Sequence, residues 1–393
     1  MSSYLRIVSI LGVVIFSGCS DSVLIGGAPL VYSFNGNQYQ LEAEVYPGAQ
    51  FKAWERTDYI MLEHLVPAEG EYRLKIASEQ AKNYVNELKL LIVDHPAGTE
   101  LLPGEDGRFY TLSNPGEPLS ALDKKLNNLL PLIKERDDKS WGDSSSLLSL
   151  LMKGQDWDWI DLNFKRPKKL RRAKLIIEAV NTPQVPLMER NYLAKKGYGS
   201  RKGLKKMGGL PEELREFQQW KEENLALQIQ LWNGDTWELM AKGQPIGSRA
   251  VRELVFPLEI GRVRGEWIKL RLKSTSLVWK LDRIAIDYSP QRKIVVKEAK
   301  LIDTRGASGN ELSRLLRKMD DRYHIAKEGE SAELIFRAIP KTKGYQRSYL
   351  IKIGGYYQAQ FPEPGEEILD KLNRVLKRFF GERIGLSERR GRT

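Results

Sequence analysis

Trp157 and Trp159 stand two residues apart in QDWDWIDLNF, among Asp156, Asp158 and Asp161. On a strand that spacing puts both indoles on one face, about 7 Å apart and opposite Ile160 and Leu162. Indole faces so placed can stack on successive sugar rings, whose C–H faces meet the negative π-face; the other reading packs both beneath a helix. The three carboxylates are hard oxygen ligands of the kind calcium takes. Strand alternation turns Asp158 away from Asp161, so no metal site is expected. Trp232 and Trp237 flank Asn233-Gly234-Asp235-Thr236, the pattern of a hairpin with two indoles facing each other across it. The strip Lys165, Arg166, Lys168, Lys169, Arg171 and Arg172 is a candidate site for anionic glycan or lipid head groups, or else a solvated face.

Catalytic chemistry has weaker signals. His64, His95 and His324 have no metal-ligand spacing, and there is no G-x-S-x-G turn or phosphate-cradling glycine loop. A polysaccharide hydrolase working through carboxylates stays open as the alternative, with Asp58 in ERTDY and Asp94 beside His95 as candidates. The expectation is a non-catalytic binding protein with no cofactor.

The one cysteine, Cys19, follows the apolar run Ile7–Phe16 and the small residues Ser17 and Gly18. A run of this length is short of the roughly 20 residues that span a bilayer and reads as a signal peptide over 1–18. Phe16-Ser17-Gly18-Cys19 resembles the lipobox of bacterial lipoproteins, which implies acylation of the Cys19 sulfur. A thiolate is the natural nucleophile for that step, and two or three acyl chains anchor a protein stably at about 0.8 kcal/mol per buried methylene. Ser20 after the cysteine favours, by the same resemblance, the outer over the inner membrane. Loss of Met1–Gly18 removes one of 63 basic residues and none of the 51 acidic, lowering the formal charge of +12 by one. That excess suits anionic surfaces, and export argues against nucleic acid. With no second thiol for a disulfide, stability must come from burial.

After a short linker at 19–28, segment 29–115 reads as a β domain. LVYSF and YQLEAEV form a hairpin about Asn35-Gly36-Asn37, followed by strands in EYRLKIAS and ELKLLIVDHP. Leucine spacing in SALDKKLNNLLPLIKE and SSSLLSLLMK predicts a helical connector over 116–155. Segment 156–290 reads as a β-sandwich interrupted at 186–224 by a mobile basic loop, KKGYGSRKGLKKMGG, and a helix, LPEELREFQQWKEEN. Segment 291–360 reads as a second, related β module, because AELIFRAIP matches IDLNFKRP in pattern. Within 361–393, an amphipathic helix over 366–380 gathers Ile368, Leu369, Leu372, Val375, Leu376, Phe379 and Phe380 on one stripe before a basic tail. It could engage a protein partner or a membrane.

Glu55-Arg56-Thr57-Asp58-Tyr59 with Leu62, His64 and Leu65, Val93-Asp94-His95-Pro96 with Gly98-Thr99-Glu100, and Trp279-Lys280-Leu281-Asp282 leading to Ile286-Asp287-Tyr288 resemble a family of uncharacterised bacterial exported lipoproteins. The resemblance implies an envelope location and transfers no catalytic residue. The strand, basic loop, strand arrangement is also similar to galactose-binding-like jelly rolls, which implies a fold and no activity. The expected fold class is therefore mainly β: two or three β-sandwich or jelly-roll-like modules with a helical connector, a helical insertion and a C-terminal amphipathic helix. The expected partners are the membrane through lipid, a cell-wall or surface glycan, and a protein through 366–380.

Overall fold

The computed structural model describes residues 27–79, 81–137, 139–142, 156–306 and 309–359. Cys19, the segment SSSLLSLLMK and the helix expected over 366–380 lie outside them. The fold is mainly β. The first strands are β1 (Leu30–Phe34), β2 (Tyr39–Glu44), β3 (Arg56–Met61), β4 (Glu71–Ala77), β5 (Ala81–Pro96), β6 (Glu100–Pro103) and β7 (Phe109–Leu112). Next come β8 (Ser120–Asp123), β9 (Trp157–Lys165), β10 (Arg172–Asn181), β11 (Leu227–Trp232), β12 (Trp237–Gly243), β13 (Arg252–Glu259), β14 (Trp267–Thr275) and β15 (Trp279–Asp287). The last are β16 (Val295–Ala299), β17 (Leu301–Gly306), β18 (His324–Ala326), β19 (Ser331–Arg337) and β20 (Tyr345–Ala359).

Period-two alternation makes these strands one-sided. In β4 Tyr72, Leu74 and Ile76 are buried while Glu71, Arg73 and Lys75 keep solvent contact. Sheet β17-β19-β4-β1-β2 packs this way on sheet β16-β5-β20-β3, which also carries β18 on β5, around a core that includes Leu74, Leu90, Ile92, Phe336 and Ile351. Sheet β12-β11-β14-β9-β8 packs on β13-β10-β15 around Ile160, Leu162, Phe164, Leu270 and Trp279. The result is two antiparallel sandwiches.

Segment 291–360, expected as a module of its own, instead completes the first sandwich. Its β19 pairs with β4 and its β20 with both β5 and β3. The second sandwich is thus contained between two crossings of the chain. Both passages matched in the sequence, β9 to β10 and β19 to β20, step from one sheet of a sandwich to the other.

The connector differs from expectation as well. SALDKKLNNLLPLIKE yields a strand, β8 on β9, and a single helical turn at Leu130–Ile133. The Asp123 side chain accepts the amides of Lys125 and Asn127, which closes a turn where a helix would have to continue.

The basic loop is also a correction, since its centre is a helix, Arg201–Met207, capped by the Ser200 hydroxyl, which accepts from the Gly203 amide. Leu204 and Met207 are buried with Leu193 of the preceding helix and with Leu214 and Phe217 of the following one, Pro211–Asn224. This cluster docks on Phe51 and Trp54 of the first sandwich. There Lys221 donates to the Gly48 carbonyl at 2.9 Å, its Nζ lying 3.7 Å from the centre of the Trp54 ring.

The β6–β7 hairpin is wedged between the sandwiches. Leu101 points to Leu91, Val93 and Leu350 of the first, while Leu102 points to Ile176, Val255 and Ala285 of the second. Adjacent strand residues face opposite ways, so one short hairpin serves both.

Candidate functional site

Sheet β12-β11-β14-β9-β8 buries one face in the second core and turns the other outward. On β9, Ile160, Leu162 and Phe164 are inside, and Trp157 and Trp159 are half-buried on the outer face, as their parity requires. The neighbouring β14 repeats the pattern, with Ile268, Leu270 and Leu272 inside and Lys269, Arg271 and Lys273 outside. Antiparallel register sets Lys273 opposite Trp159 and Arg271 opposite Asp161.

An aromatic–cation ladder results. The Arg271 Cζ lies 4.8 Å from the centre of the Trp159 ring and 4.4 Å from that of Trp237 on β12. The Lys273 Nζ stands 4.5 Å from the centre of Trp157. Arg271 is fixed by a forked pair to Asp161, Nε to Oδ1 at 2.6 Å and Nη2 to Oδ2 at 2.8 Å, the geometry in which a guanidinium binds most firmly. Gln228 and Gln230 add amides from β11, joined to each other at 3.2 Å. Trp232 meets Trp237 edge-on across the predicted hairpin at 5.4 Å. The edge contact steadies the hairpin: Trp232→Ala is expected to cost about 1 kcal/mol, read as a lower denaturant midpoint.

Rings and donors interleaved on one broad sheet face suit a ligand that has both apolar C–H faces and hydroxyls. The cations account for one face of Trp157 and one of Trp159. Sequence reading found the two tryptophans, gave Trp237 a hairpin role alone, and missed Arg271 and Lys273. The alternation in WIKLRLKST was the available signal, but it names no neighbouring strand.

The three aspartates do not converge. Asp161 is engaged by Arg271, and the Asp158 Oδ1 accepts the Trp159 amide at 3.0 Å and lies 4.0 Å from the Lys124 Nζ. Among the described residues no cluster of three or more metal-ligating side chains occurs.

The basic strip lies at the β9–β10 connection, at one end of the second sandwich. Arg172 pairs with Glu259 at 2.8 Å, and Lys165, Lys168, Lys169 and Arg171 are exposed. Arg166 is partly covered, with Nη1 donating to the Gly265 carbonyl at 3.4 Å. Backbone bonds from Arg166 to Glu266 and from Ile260 to Arg171 tie this connection to the β13–β14 loop, which adds exposed Arg262 and Arg264 to the same end.

Of the carboxylates weighed for hydrolysis, Asp94 is fully buried and holds Arg347, Lys297 and Thr342, leaving no approach for substrate. Asp58 lines a cavity between the sandwiches, where its oxygens accept the Tyr46 amide at 2.7 Å and the Arg56 Nε at 3.0 Å. His95 bridges Thr99 and Ser348 within the first sandwich. Among the described residues no helix is long and apolar enough to cross a membrane.

No family model and no curated protein matches the chain. Among solved structures it is similar to the GH31 alpha-xylosidase from Xanthomonas citri, at 8% identity and a TM-score of 0.18 over 83% of this chain and 25% of the xylosidase. It is also similar to infectious bursal disease virus Gt strain, at 8% identity and a TM-score of 0.15 over 89% of this chain and 85% of the viral one. Scores this low carry no argument, and the chain spans only a quarter of the xylosidase.

Proposed function

We propose that this chain is a lipid-tethered, non-catalytic protein of the bacterial cell envelope that binds glycan on the outer face of the β12-β11-β14-β9-β8 sheet. The observation that carries the reading is the ladder of Trp157, Trp159, Trp237, Arg271 and Lys273 on a single exposed sheet face. Indoles supply apolar contact and the flanking cations and amides supply hydrogen bonds, the two demands a sugar ring makes of a protein surface. Tethering rests on the lipobox-like Phe16-Ser17-Gly18-Cys19, and an outer-membrane address on Ser20.

The test is retention on insoluble cell-wall glycan. The parent chain is expected to be retained, and Trp157→Ala with Trp159→Ala to lose roughly tenfold or more in affinity. Half-buried outer-face side chains leave the core intact, so the melting temperature should move by only a few degrees. Equal retention of parent and variant, or none by the parent, contradicts glycan binding here. Cys19→Ser is expected to release the protein from the membrane fraction; continued sedimentation with vesicles contradicts the anchor alone.

A further inference from the structure

Between the two sandwiches lies a cavity of about 630 Å³, within the range of small-molecule sites. Its walls come from β3 and the loop after it, the tip of the β6–β7 hairpin, the start of β13 and the segment 244–251. It is on the opposite side of the second sandwich from the aromatic ladder, because β10 and β13 belong to the inner sheet.

Most of its charges satisfy one another. Arg56 holds Asp58 at 3.0 Å, Arg249 holds Glu79 at 2.9 Å, and Arg136 joins Glu178 to Glu253, the latter at 3.4 Å. Glu42 accepts the amides of Glu63 and His64 and approaches the His64 ring at 3.1 Å. Two groups are left with capacity. Arg252, at the start of β13, makes no side-chain hydrogen bond or ion pair among the described residues. Glu105, on the hairpin tip, accepts one bond, from the Gln244 amide at 3.2 Å.

A guanidinium that feels Asp58 and Glu105 without hydrogen-bonding to either keeps its five donors for a planar anion, and carboxylate matches its fork. Paired carboxylates along the wall keep spare lone pairs, since each offers about four acceptor positions; those receive hydroxyl hydrogens. Tyr59 and Met61 add an apolar side. We infer that this cavity binds an acidic sugar unit, its carboxylate on Arg252 and a hydroxyl on Glu105.

Glu105 keeps solvent contact at the hairpin tip, and partial desolvation raises its carboxyl to about 7. The charged groups acting on it are Arg56 and Asp58 on β3 and Arg252 on β13. Arg56 and Arg252 lower it; Asp58 raises it. Protonated, Glu105 donates to the ligand; ionised, it repels the ligand carboxylate. Binding of an acidic sugar should therefore weaken as pH rises through 7.

The experiment is calorimetric titration of the full chain with sodium D-glucuronate, D-glucose and sodium acetate at pH 6 and pH 8. Glucuronate is expected to bind at least about tenfold more tightly than either comparison ligand at pH 6, and roughly tenfold more weakly at pH 8. Arg252→Met abolishes binding, Arg252→Lys weakens it, and Glu105→Gln keeps it while flattening the pH dependence. Glucose or acetate binding as tightly as glucuronate overturns the proposal. So does unchanged affinity in both Arg252 variants, or no glucuronate binding up to roughly 10 mM. The melting temperature of each variant confirms that it is folded. Retention of Arg252→Met on insoluble cell-wall glycan is measured alongside, so failure here and failure of the glycan face are read separately.

Discussion

Arg347→Met is expected to lower the melting temperature by roughly 4 °C, a loss of about 3 kcal/mol for a chain of this size. Asp94, near the end of β5, has a side chain with no accessible surface, and that of Arg347 on β20 is 6% exposed. Arg347 Nε reaches Oδ1 at 2.7 Å and Nη2 reaches Oδ2 at 3.0 Å, while the Lys297 Nζ from β16 adds a third contact at 3.2 Å. The Thr342 amide and hydroxyl complete the shell. Arg347 also donates to the carbonyls of Ile339 and Pro340, so the node pins the β19–β20 connection to two strands of the sheet. Methionine keeps the bulk and strands the carboxylate with only Lys297 and Thr342. The donors that remain, Lys297 and the Thr342 amide, set the cost at the lower end of the range for a broken buried pair.

The same node gives a pH signature. Burial alone would raise the Asp94 carboxyl, but the donors of Arg347, Thr342 and Lys297 outweigh it and hold it well below the usual carboxylate range. A depressed folded-state value contributes stability above the unfolded value and loses it as pH falls. The parent should therefore destabilise progressively below about pH 4, and Arg347→Met should show a shallower fall over that window. Parallel acid curves for the two proteins contradict this account.

Signals confined to one strand were readable in the sequence. Alternation placed the inward residues of β4 and the parity of Trp157 and Trp159, and Asn-Gly marked the first hairpin, where Gly36 has φ +94°. Long-range pairing was not readable. Asp94 and Arg347 are 253 residues apart, and Arg271 and Asp161 are 110 apart. The expectation of a separate module over 291–360 failed for the same reason, since β4 has no way to announce that β19 will lie beside it. Leucines spaced three and four apart in SALDKKLNNLLPLIKE fit a helix until Asp123 captures its own turn. Leu204 and Met207 share that spacing, but lysines and glycines around them disguised a buried helix face. Motif resemblance marked Asp94 and Asp287 without their roles, and both turn out to be buried nodes of hydrogen bonding.

Asp287→Ala is expected to be the other large effect, because this fully buried carboxylate fastens both crossings between the sandwiches to β10. Its Oδ2 accepts the amides of Ser113 at 3.0 Å and Asn114 at 2.9 Å, on the outward crossing. Its Oδ1 accepts the Ser289 amide at 2.9 Å on the returning one, and the Lys174 Nζ at 3.1 Å. Lys174 is itself buried and donates to the carbonyls of Thr111 and Ser289 at 2.6 and 2.8 Å. Alanine leaves three amides without that acceptor and an ammonium without its counter-charge, a cost of about 3 to 5 kcal/mol. Asn114 and Ser289 are the points where the chain changes sandwich, so the loss falls on the coupling between the two cores. Calorimetry should then resolve two transitions where the parent gives one, with faster hydrogen exchange at the Ser113 and Asn114 amides. Asp287→Asn should lie between, since its oxygen can still accept on one side while its amide hydrogens oppose donors on the other. A single unshifted transition in Asp287→Ala would mean that the wedged β6–β7 hairpin, rather than this carboxylate, holds the sandwiches and the cavity between them in place.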